Sequence, residues 1–246
     1  IVYIDYATLE TCATATESVV VIDVWRSFTT TAYAFAAGVR DILVVATAGE
    51  AIALRSRYPN AILMGLGELG GKPAAGFDYG NSPAELRECD LRGRRMIQCT
   101  PNGTPGLVGS VRAKTLIAGS FVCAEATVRY LRRQASERVT FVCTEAGIAD
   151  LACAEYMAAL LREEKPDADV ILENIRAAWW KQAHILLERG KLTEVQKEKL
   201  EADLNCCLGL DRFEFAMEVQ RRNGLLVMEA VAEMNQEKPT LWHRSA

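Results

Sequence analysis

The sequence predicts an α/β fold in which helices cover both faces of a mostly parallel β-sheet, a layered α/β/α architecture. Short apolar runs rich in β-branched residues alternate along the chain with stretches of helical periodicity, and Gly, Pro or Asp bounds most of these runs. Runs that are apolar at every position are typical of parallel strands with both faces buried. The chain has 246 residues, half of them hydrophobic, which is enough for a sizeable core.

The first two thirds of the chain supply the predicted strands. The run "VVVI" at 19–22 is the first strand, and "TTTAYAFAAG" is a short helix that ends at Gly38. "DILVVA" and "AILMG" are the next two strands, with a helix between them around 50–57. Three more strands complete the series: "RMIQC" at 95–99, "KTLIAG" at 114–119 and "RVTFVC" at 138–143.

The C-terminal third has a different pattern. Residues 169–203 are rich in Ala, Leu, Glu, Lys and Arg at helical spacing. "FEFAMEV" at 213–219 and "GLLVMEAV" at 224–231 then predict a final strand or hairpin. We treat residues 1–246 as one α/β unit, and the sequence leaves open whether 166–246 forms a second lobe or a helical cover.

The composition of the chain limits the kinds of molecule that it is expected to bind and the compartment in which it is expected to occur. The net charge of −4 and the pI near 5.4 give no overall attraction to nucleic acid. No apolar run approaches the roughly 20 residues of a membrane span, and the first residues do not resemble a signal peptide. None of the eight cysteines forms a C-x-x-C pair. We therefore expect a cytoplasmic protein with reduced thiols that binds neither nucleic acid nor membrane, with a homodimer as the working expectation for its oligomeric state.

Polar side chains collect after the predicted strands. Ligands of open α/β sheets bind at the carboxyl ends of the strands, so we expect these side chains to line one rim. The glycine-rich segment at 65–83 is long for a loop in a compact domain, and such loops often bind ligands or cover a site. The set comprises Asp23, Arg26 and the hydroxyls of 27–31, then Glu68, Lys72, Asp78 and Asn81 in the long loop, "TPNGT" at 100–104, Ser120, Thr144, Glu145 and Asp150.

These residue types suit an anion together with a hard cation. Arg26, hydroxyls and the free N–H groups of a helix start can bind phosphate oxygens. Carboxylates cannot bind an anion directly, but they can hold Mg²⁺ or act as nucleophile and general acid. Each feature also has a simpler structural explanation, since Ser27 or Thr29 can cap a helix, "PNGT" can form a turn, and Asp150 can cap the helix that follows.

Familiar phosphate-binding and phosphatase motifs do not fit. The pair Gly71-Lys72 lacks the first Gly of a Walker A loop and is followed by Pro73, and Asp23 is followed by Val-Trp and not by the second Asp of a D-x-D motif. Cys89 and Arg95 have the C-x5-R spacing, but they flank a turn that enters a strand. With two histidines in the chain, a His-based zinc site or a His nucleophile is disfavoured.

Five motifs taken in order resemble the 2-phosphosulfolactate phosphatase family. They are "VVIDVWRSFTTT", "GELGGKPAAGFDYGNSP", "TPNGT", "AGSFVCAEA" and "LNCCLGLDRFEFA", and they span most of the chain, from about 19 to 227. The resemblance implies an α/β fold distinct from the dehalogenase type. It also implies Mg²⁺-dependent hydrolysis of a small phosphate monoester, 2-phosphosulfolactate to sulfolactate and phosphate, on a route to coenzyme M.

The resemblance and the residue types together give a predicted site. Asp23, Arg26 and Glu68 are the predicted catalytic residues, and Asp23, Glu145 and Asp150 the predicted Mg²⁺ ligands. Asp23 as a nucleophile that forms an aspartyl-phosphate remains open. Lys72 and Arg212 are candidates for a second anion site that would take a sulfonate. The predicted substrate-binding residues are Ser27, Thr29, Thr30, Asn81, Asn102, Gly103, Thr104 and Ser120.

One difference from the family pattern leaves a second, non-catalytic function open. The segment that follows "CTEAG" is shorter than the acidic loop expected there. A non-catalytic phospholigand-binding or regulatory protein on the same fold therefore remains a second hypothesis.

Overall fold

Helices and strands alternate through most of the chain in the computed structural model, which describes residues 2–145 and 147–232. The strands are β1 Tyr3–Ala7, β2 Ser18–Ile22, β3 Asp41–Val44, β4 Ile62–Met64, β5 Arg95–Gln98, β6 Thr115–Gly119, β7 Arg138–Cys143, β8 Phe215–Arg222 and β9 Leu225–Ala232. The helices are α1 Ser27–Ala36, α2 Ala48–Arg57, α3 Pro83–Leu86, α4 Gly103–Gly109, α5 Ala124–Arg133, α6 Ile148–Leu161, α7 Ala168–Glu188 and α8 Glu194–Cys207. Cys12–Thr14 and Phe121–Cys123 form single 3₁₀ turns.

The strands of the described residues form one sheet in the order β1-β7-β2-β6-β8-β9-β3-β5-β4. Strands β1, β7, β2 and β6 make one parallel block, and β3, β5 and β4 make another. The hairpin β8–β9 lies between the blocks and pairs antiparallel with β6 on one side and with β3 on the other. The prediction of a layered α/β fold with a mostly parallel sheet is confirmed, and so is the terminal hairpin.

The sheet order corrects one detail of that prediction. Three successive antiparallel pairings separate β6 from β3, so the two parallel blocks run in opposite directions along the sheet. The carboxyl ends of β4 and β5 therefore do not share an edge of a single parallel sheet with those of β2, β6 and β7. An apolar strand pattern is the same for either direction, which is why the sequence did not indicate the inversion.

Helix α1 brings the two blocks together. It is buried along almost its whole length, and Phe28 and Phe35 pack in one core cluster with residues of β2, β3, β5 and β6. The helix ends where Gly38 takes a positive φ of 100°, a conformation that costs glycine little. Because α1 contacts both blocks, residues that follow strands of opposite direction can meet at its first turn.

Helices also cover the other face of the sheet. Ile22 of β2 and Phe121 pack with Met157 of α6, Ile175 of α7 and Leu204 of α8 in a second core cluster. A third cluster places Leu54 of α2 against the second block. All eight cysteines are free thiols, and six of them are buried. None of the helices in the described part of the chain has the length and apolar composition needed to cross a membrane.

The central hairpin should be important for stability. Met217 of β8 is fully buried, so Met217→Ala removes apolar contacts and leaves a cavity, and we expect a loss of about 2–5 kcal/mol in the free energy of unfolding. Urea unfolding measures this loss. The control Val195→Ala, at a position 64% exposed, should change stability by less than about 0.5 kcal/mol. Equal stabilities for the two variants would contradict the central position of β8.

Candidate active site

Asp23 directly follows β2 and is only 4% exposed. Its Oδ1 atom accepts a hydrogen bond from the Ser27 N–H at 3.0 Å, and its carbonyl oxygen accepts one from the Phe28 N–H at 3.0 Å. A carboxylate is stabilised at this end of a helix because the unpaired N–H groups and the helix dipole present positive charge. The carboxyl group of Asp23 thus lies at the first turn of α1.

The Asp150 carboxylate joins the turn after β2 to the turn after β7. Its Oδ1 accepts a hydrogen bond from the Val24 N–H at 2.9 Å. Its Oδ2 accepts three more, from the Thr144 N–H at 3.0 Å, the Glu145 N–H at 3.1 Å and the Thr144 hydroxyl at 3.2 Å. Asp150 is 3% exposed and lies in the first turn of α6. With four donors already bound, this side chain fixes the two turns relative to each other.

Negative charge is concentrated around these two carboxylates. Burial and, next, the Asp150 carboxylate raise the pKa of Asp23 to about 8, although the Ser27 N–H acts to lower it. Burial also raises the pKa of Asp150 to about 6, against the hydrogen bonds from Val24 and Glu145. The Glu145 carboxylate raises both pKa values further. A cation placed among these groups would favour their charged forms.

The threonine hydroxyls of α1 bond backbone carbonyl oxygens in and just before the first turn of the helix. Those of Thr29, Thr30 and Thr31 donate to the carbonyl oxygens of Val24, Arg26 and Ser27 at 2.9, 2.8 and 2.9 Å. All three threonines are fully buried. The structure therefore places Thr29 and Thr30, both predicted to bind substrate, where their hydroxyls stabilise the first turns of the helix.

A second set of hydroxyl bonds connects α1 to its neighbours. The Ser27 and Thr100 hydroxyls lie 3.1 Å apart, and those of Thr29 and Ser120 lie 2.6 Å apart. Thr100 and Thr104 form two reciprocal hydrogen bonds. The Thr100 N–H donates to the Thr104 hydroxyl oxygen at 2.9 Å, and the Thr104 N–H donates to the Thr100 hydroxyl oxygen at 3.1 Å. The predicted residues Ser27, Thr104 and Ser120 thus belong to hydroxyl contacts around the first turn of α1, but their side chains are buried and already paired.

The "PNGT" turn packs directly against Asp23. A Cβ atom at Gly103 would lie 2.6 Å from Ser27 Oγ and 2.8 Å from Asp23 Oδ2, so only glycine fits. Asn102 precedes this glycine, and its Nδ2 donates to Glu145 Oε1 at 2.8 Å. Glu145 is exposed, and its position beside Asn102 links the turn after β5 to the turn after β7.

Arg26 forms a buried ion pair with Asp203 of α8. Its Nη1 lies 2.6 Å from Asp203 Oδ2, and the two side chains are 11% and 1% exposed. The other carboxylate oxygen of Asp203 accepts from the Ser82 hydroxyl at 2.6 Å and from the Ala84 N–H at 3.2 Å. Sequence reasoning missed Asp203. The spacing of Asp203 with Leu200, Leu204 and Cys207 places an acid on an apolar helix face. That pattern could have indicated a buried acid that needs a charged or polar partner.

The long loop supplies the remaining predicted residues. Glu68 is exposed and lies against Gly71 of the same loop, where a Cβ atom would come within 2.6 Å of Glu68 Oε2. Asn81 is half-buried, and within the described residues its Oδ1 atom is buried without a hydrogen-bond partner. Lys72 is exposed in this loop. The role of Glu68 as a catalytic residue stays a prediction.

The carboxylates differ in how freely they could bind Mg²⁺. The oxygens of Asp150 take four hydrogen bonds, which favours a positioning role over its predicted role as a ligand. Asp23 and Glu145 have fewer partners and lie where negative charge accumulates. The described residues contain no cluster of three or more His, Cys, Asp or Glu arranged as metal ligands. Mg²⁺ commonly uses one or two carboxylates plus water and substrate phosphate, so Asp23 and Glu145 fit such a site.

Comparison with known proteins identifies the family. A family model described as 2-phosphosulpholactate phosphatase matches residues 5–222, which is most of the chain. The chain belongs to the 2-phosphosulpholactate phosphatase family. The resemblance seen in the five sequence motifs is therefore confirmed. Asp23, Asp150, the "PNGT" turn and Asp203 all lie within the matched part.

Three relatives of this family share the name "Probable 2-phosphosulfolactate phosphatase". The protein from Bacillus subtilis is 36% identical over 145 residues, 58% of this chain and 63% of its own length. The one from Carboxydothermus hydrogenoformans is 40% identical over 152 residues, 61% and 62% of the two lengths. The one from Caldicellulosiruptor saccharolyticus is 29% identical over 232 residues, 86% and 91%. The chain thus spans less than two thirds of the length of the first two relatives.

The stability of the metal-free protein should depend on the protonation of Asp23. The folded chain holds this proton up to about pH 8, whereas an ordinary Asp loses it near 3.8, so the free energy of unfolding should fall as the pH rises between those values. Urea unfolding in EDTA at several pH values measures the slope. In Asp23→Asn the total fall in the free energy of unfolding should be smaller by at least about 1.4 kcal/mol, the equivalent of one pKa unit. Equal slopes would contradict this assignment.

The stability of the protein should fall when the Arg26–Asp203 ion pair loses one partner. Asp203→Asn leaves the buried guanidinium without a charged partner, and we expect a loss of about 3–5 kcal/mol in the free energy of unfolding. The matched control is Asp90→Asn, because the Asp90–Arg92 pair is exposed to solvent, and it should show no measurable change. Unfolding in urea compares the two variants, and similar small effects would contradict a structural role for the buried pair.

Proposed function

We propose that this chain is a Mg²⁺-dependent phosphatase that hydrolyses a small phosphate monoester at Asp23. The observation that carries the proposal is the buried Asp23 carboxylate at the first turn of α1, flanked by Glu145 and Asp150, with Arg26 three residues later at the start of the same helix. Membership of the 2-phosphosulpholactate phosphatase family supports it. The names of the relatives suggest 2-phosphosulfolactate as substrate and sulfolactate and phosphate as products.

Each acidic residue has a distinct role in this proposal. Asp23 and Glu145 hold the Mg²⁺ ion, while Asp150 holds the two turns that carry them. When bound, Mg²⁺ neutralises charge on the phosphoryl group and orients it for attack by water. Because Asp23 is buried beside other carboxylates, its charged form depends on that neutralisation.

The phosphate group lies at the start of α1 in this proposal. A helix of ten residues presents free N–H groups and the positive end of its dipole there. Arg26 Nη1 is bound to Asp203, which fixes the direction of the guanidinium and leaves its other N–H groups for phosphate oxygens. Catalysis then rests on positioning and charge neutralisation, which dominate phosphoryl transfer in general.

The setting of the reaction is also part of the proposal. The eight free thiols support a reducing compartment such as the cytoplasm. The net charge of −4 supports a small substrate and not nucleic acid as the partner. A place in coenzyme M synthesis and a homodimeric state remain proposals of the same kind.

Phosphate release with and without Mg²⁺ tests the activity. We expect turnover of 2-phosphosulfolactate or of another small phosphate ester in Mg²⁺, and its loss in EDTA. Asp23→Asn should lower kcat by at least about 100-fold, and Glu145→Gln should raise the Mg²⁺ concentration needed for half-maximal rate by about tenfold. Asp90→Asn is the matched control and should behave like the parent protein. Binding of phosphate esters without any turnover would favour a non-catalytic phospholigand-binding protein.

The stereochemical course at phosphorus distinguishes the two roles of Asp23. In our proposal water attacks phosphorus directly in one displacement, so hydrolysis of a phosphorothioate ester made chiral by oxygen isotopes should invert the configuration at phosphorus. Phosphorus-31 NMR of the labelled thiophosphate product measures the configuration. Retention would show two displacements, and therefore an aspartyl-phosphate intermediate at Asp23.

A further inference from the structure

One face of α8 contacts the long loop near both of its ends. Gln196, Leu200 and Asp203 lie on this face, since residues four and seven apart share one side of a helix. The Gln196 Nε2 atom donates to the Leu69 carbonyl oxygen at 3.3 Å. At Gly70, whose φ is 62°, a Cβ atom would lie 2.9 Å from the Gln196 carbonyl oxygen. The first part of the loop therefore passes close to the backbone of the helix.

Asp203 binds the other end of the loop and the Arg26 guanidinium at the same time. Its Oδ1 atom accepts from the Ser82 hydroxyl at 2.6 Å and from the Ala84 N–H at 3.2 Å. Its Oδ2 atom accepts from Arg26 Nη1, also at 2.6 Å. The Asp203 side chain is 1% exposed, so these bonds are shielded from water. A shift of the loop end would therefore move the carboxylate that sets the direction of the guanidinium.

We propose that the long loop and the Arg26 guanidinium form one unit through Asp203, and that Ser82 is a positioning residue for bound phosphate. The inference rests on the proposed function, because it takes Arg26 as a ligand of the phosphoryl group. A guanidinium binds two phosphate oxygens in a narrow range of orientations, since its N–H donors form a rigid planar fork. The Ser82 hydroxyl binds one carboxylate oxygen of Asp203 and thereby holds the other oxygen toward Arg26. Because coupling between two sites is reciprocal, phosphate bound to Arg26 also stabilises the contact between the loop and α8.

Ser82 also has a local role in the structure. Its hydroxyl oxygen accepts from the Glu85 N–H at 3.3 Å, as the N-cap of α3. Thr47 provides a matched cap at the start of α2, where its exposed side chain accepts from the Glu50 N–H, also at 3.3 Å. Loss of either cap lowers the stability of the protein. Loss of the Ser82 hydroxyl should in addition weaken phosphate binding, which distinguishes the positioning role from the capping role.

Calorimetric titration of the protein with inorganic phosphate in Mg²⁺ tests the inference. We expect Ser82→Ala to weaken phosphate binding by about tenfold. Ser82→Thr keeps a hydroxyl and should stay within about twofold of the parent protein, and the control Thr47→Ala should bind phosphate like the parent. Equal phosphate affinities for Ser82→Ala and Thr47→Ala would overturn the inference.

A double-mutant cycle shows whether Ser82 acts through Arg26. Arg26→Lys keeps a cation beside Asp203 but removes the planar fork that the carboxylate orients. In that background Ser82→Ala should lower phosphate affinity and kcat/KM by less than about twofold. A further tenfold loss there would show that the two residues act independently, and it would overturn the inference.

The same variants separate this inference from the proposed function. Phosphate binding with the expected cycle, but without turnover of any phosphate ester, would support the inference and refute the phosphatase activity. Turnover in Mg²⁺ with independent effects of Ser82 and Arg26 on kcat/KM would refute the inference and leave the phosphatase activity intact. Absence of both phosphate binding and turnover in the parent protein would refute both.

Discussion

The hydrogen bonds of the Asp150 carboxylate are the constraint on which the arrangement of the site depends. Isolated charge in a protein interior is costly, and here three backbone N–H groups and one hydroxyl offset that cost. Those donors come from the turns after β2 and β7, so a single side chain sets the distance between them. Asp23 begins the first turn, directly after β2, and Glu145 belongs to the second. The separation of the Asp23 and Glu145 carboxylates is therefore a consequence of Asp150.

The fold assembles the site from strands that run in opposite directions. Helix α1 is buried against both parallel blocks, and its first turn contacts Thr100, which follows β5, as well as Ser120, which follows β6. The hydroxyls at these contacts pair with one another and with backbone carbonyls. They give the region rigidity, whereas in our proposal the charged and amide side chains bind the ligand. This division would explain why so many hydroxyls surround the proposed site.

Sequence reasoning succeeded where burial alone determines structure. Short, mainly apolar runs identified β2 to β9, but β1 was missed because this edge strand is half-exposed and has no such run. The order and direction of the strands could not be predicted, since both directions bury the same side chains. Sequence reasoning also assigned Asp23, Glu145, Asp150 and the "PNGT" turn to one site. It could not separate a threonine that bonds its own helix from one that faces a ligand, because both have the same neighbours along the chain.

The hairpin β8–β9 has a consequence for the synthesis of the protein. It is the last part of the described chain to leave the ribosome, yet it occupies the middle of the sheet. Until it emerges, β6 and β3 each have an unpaired edge, and the two halves of the sheet have no strand that joins them. Asp203, which lies 177 residues after Arg26, also emerges late. The nascent chain must therefore keep two open edges apart from other chains for most of its translation, a period in which aggregation competes with folding.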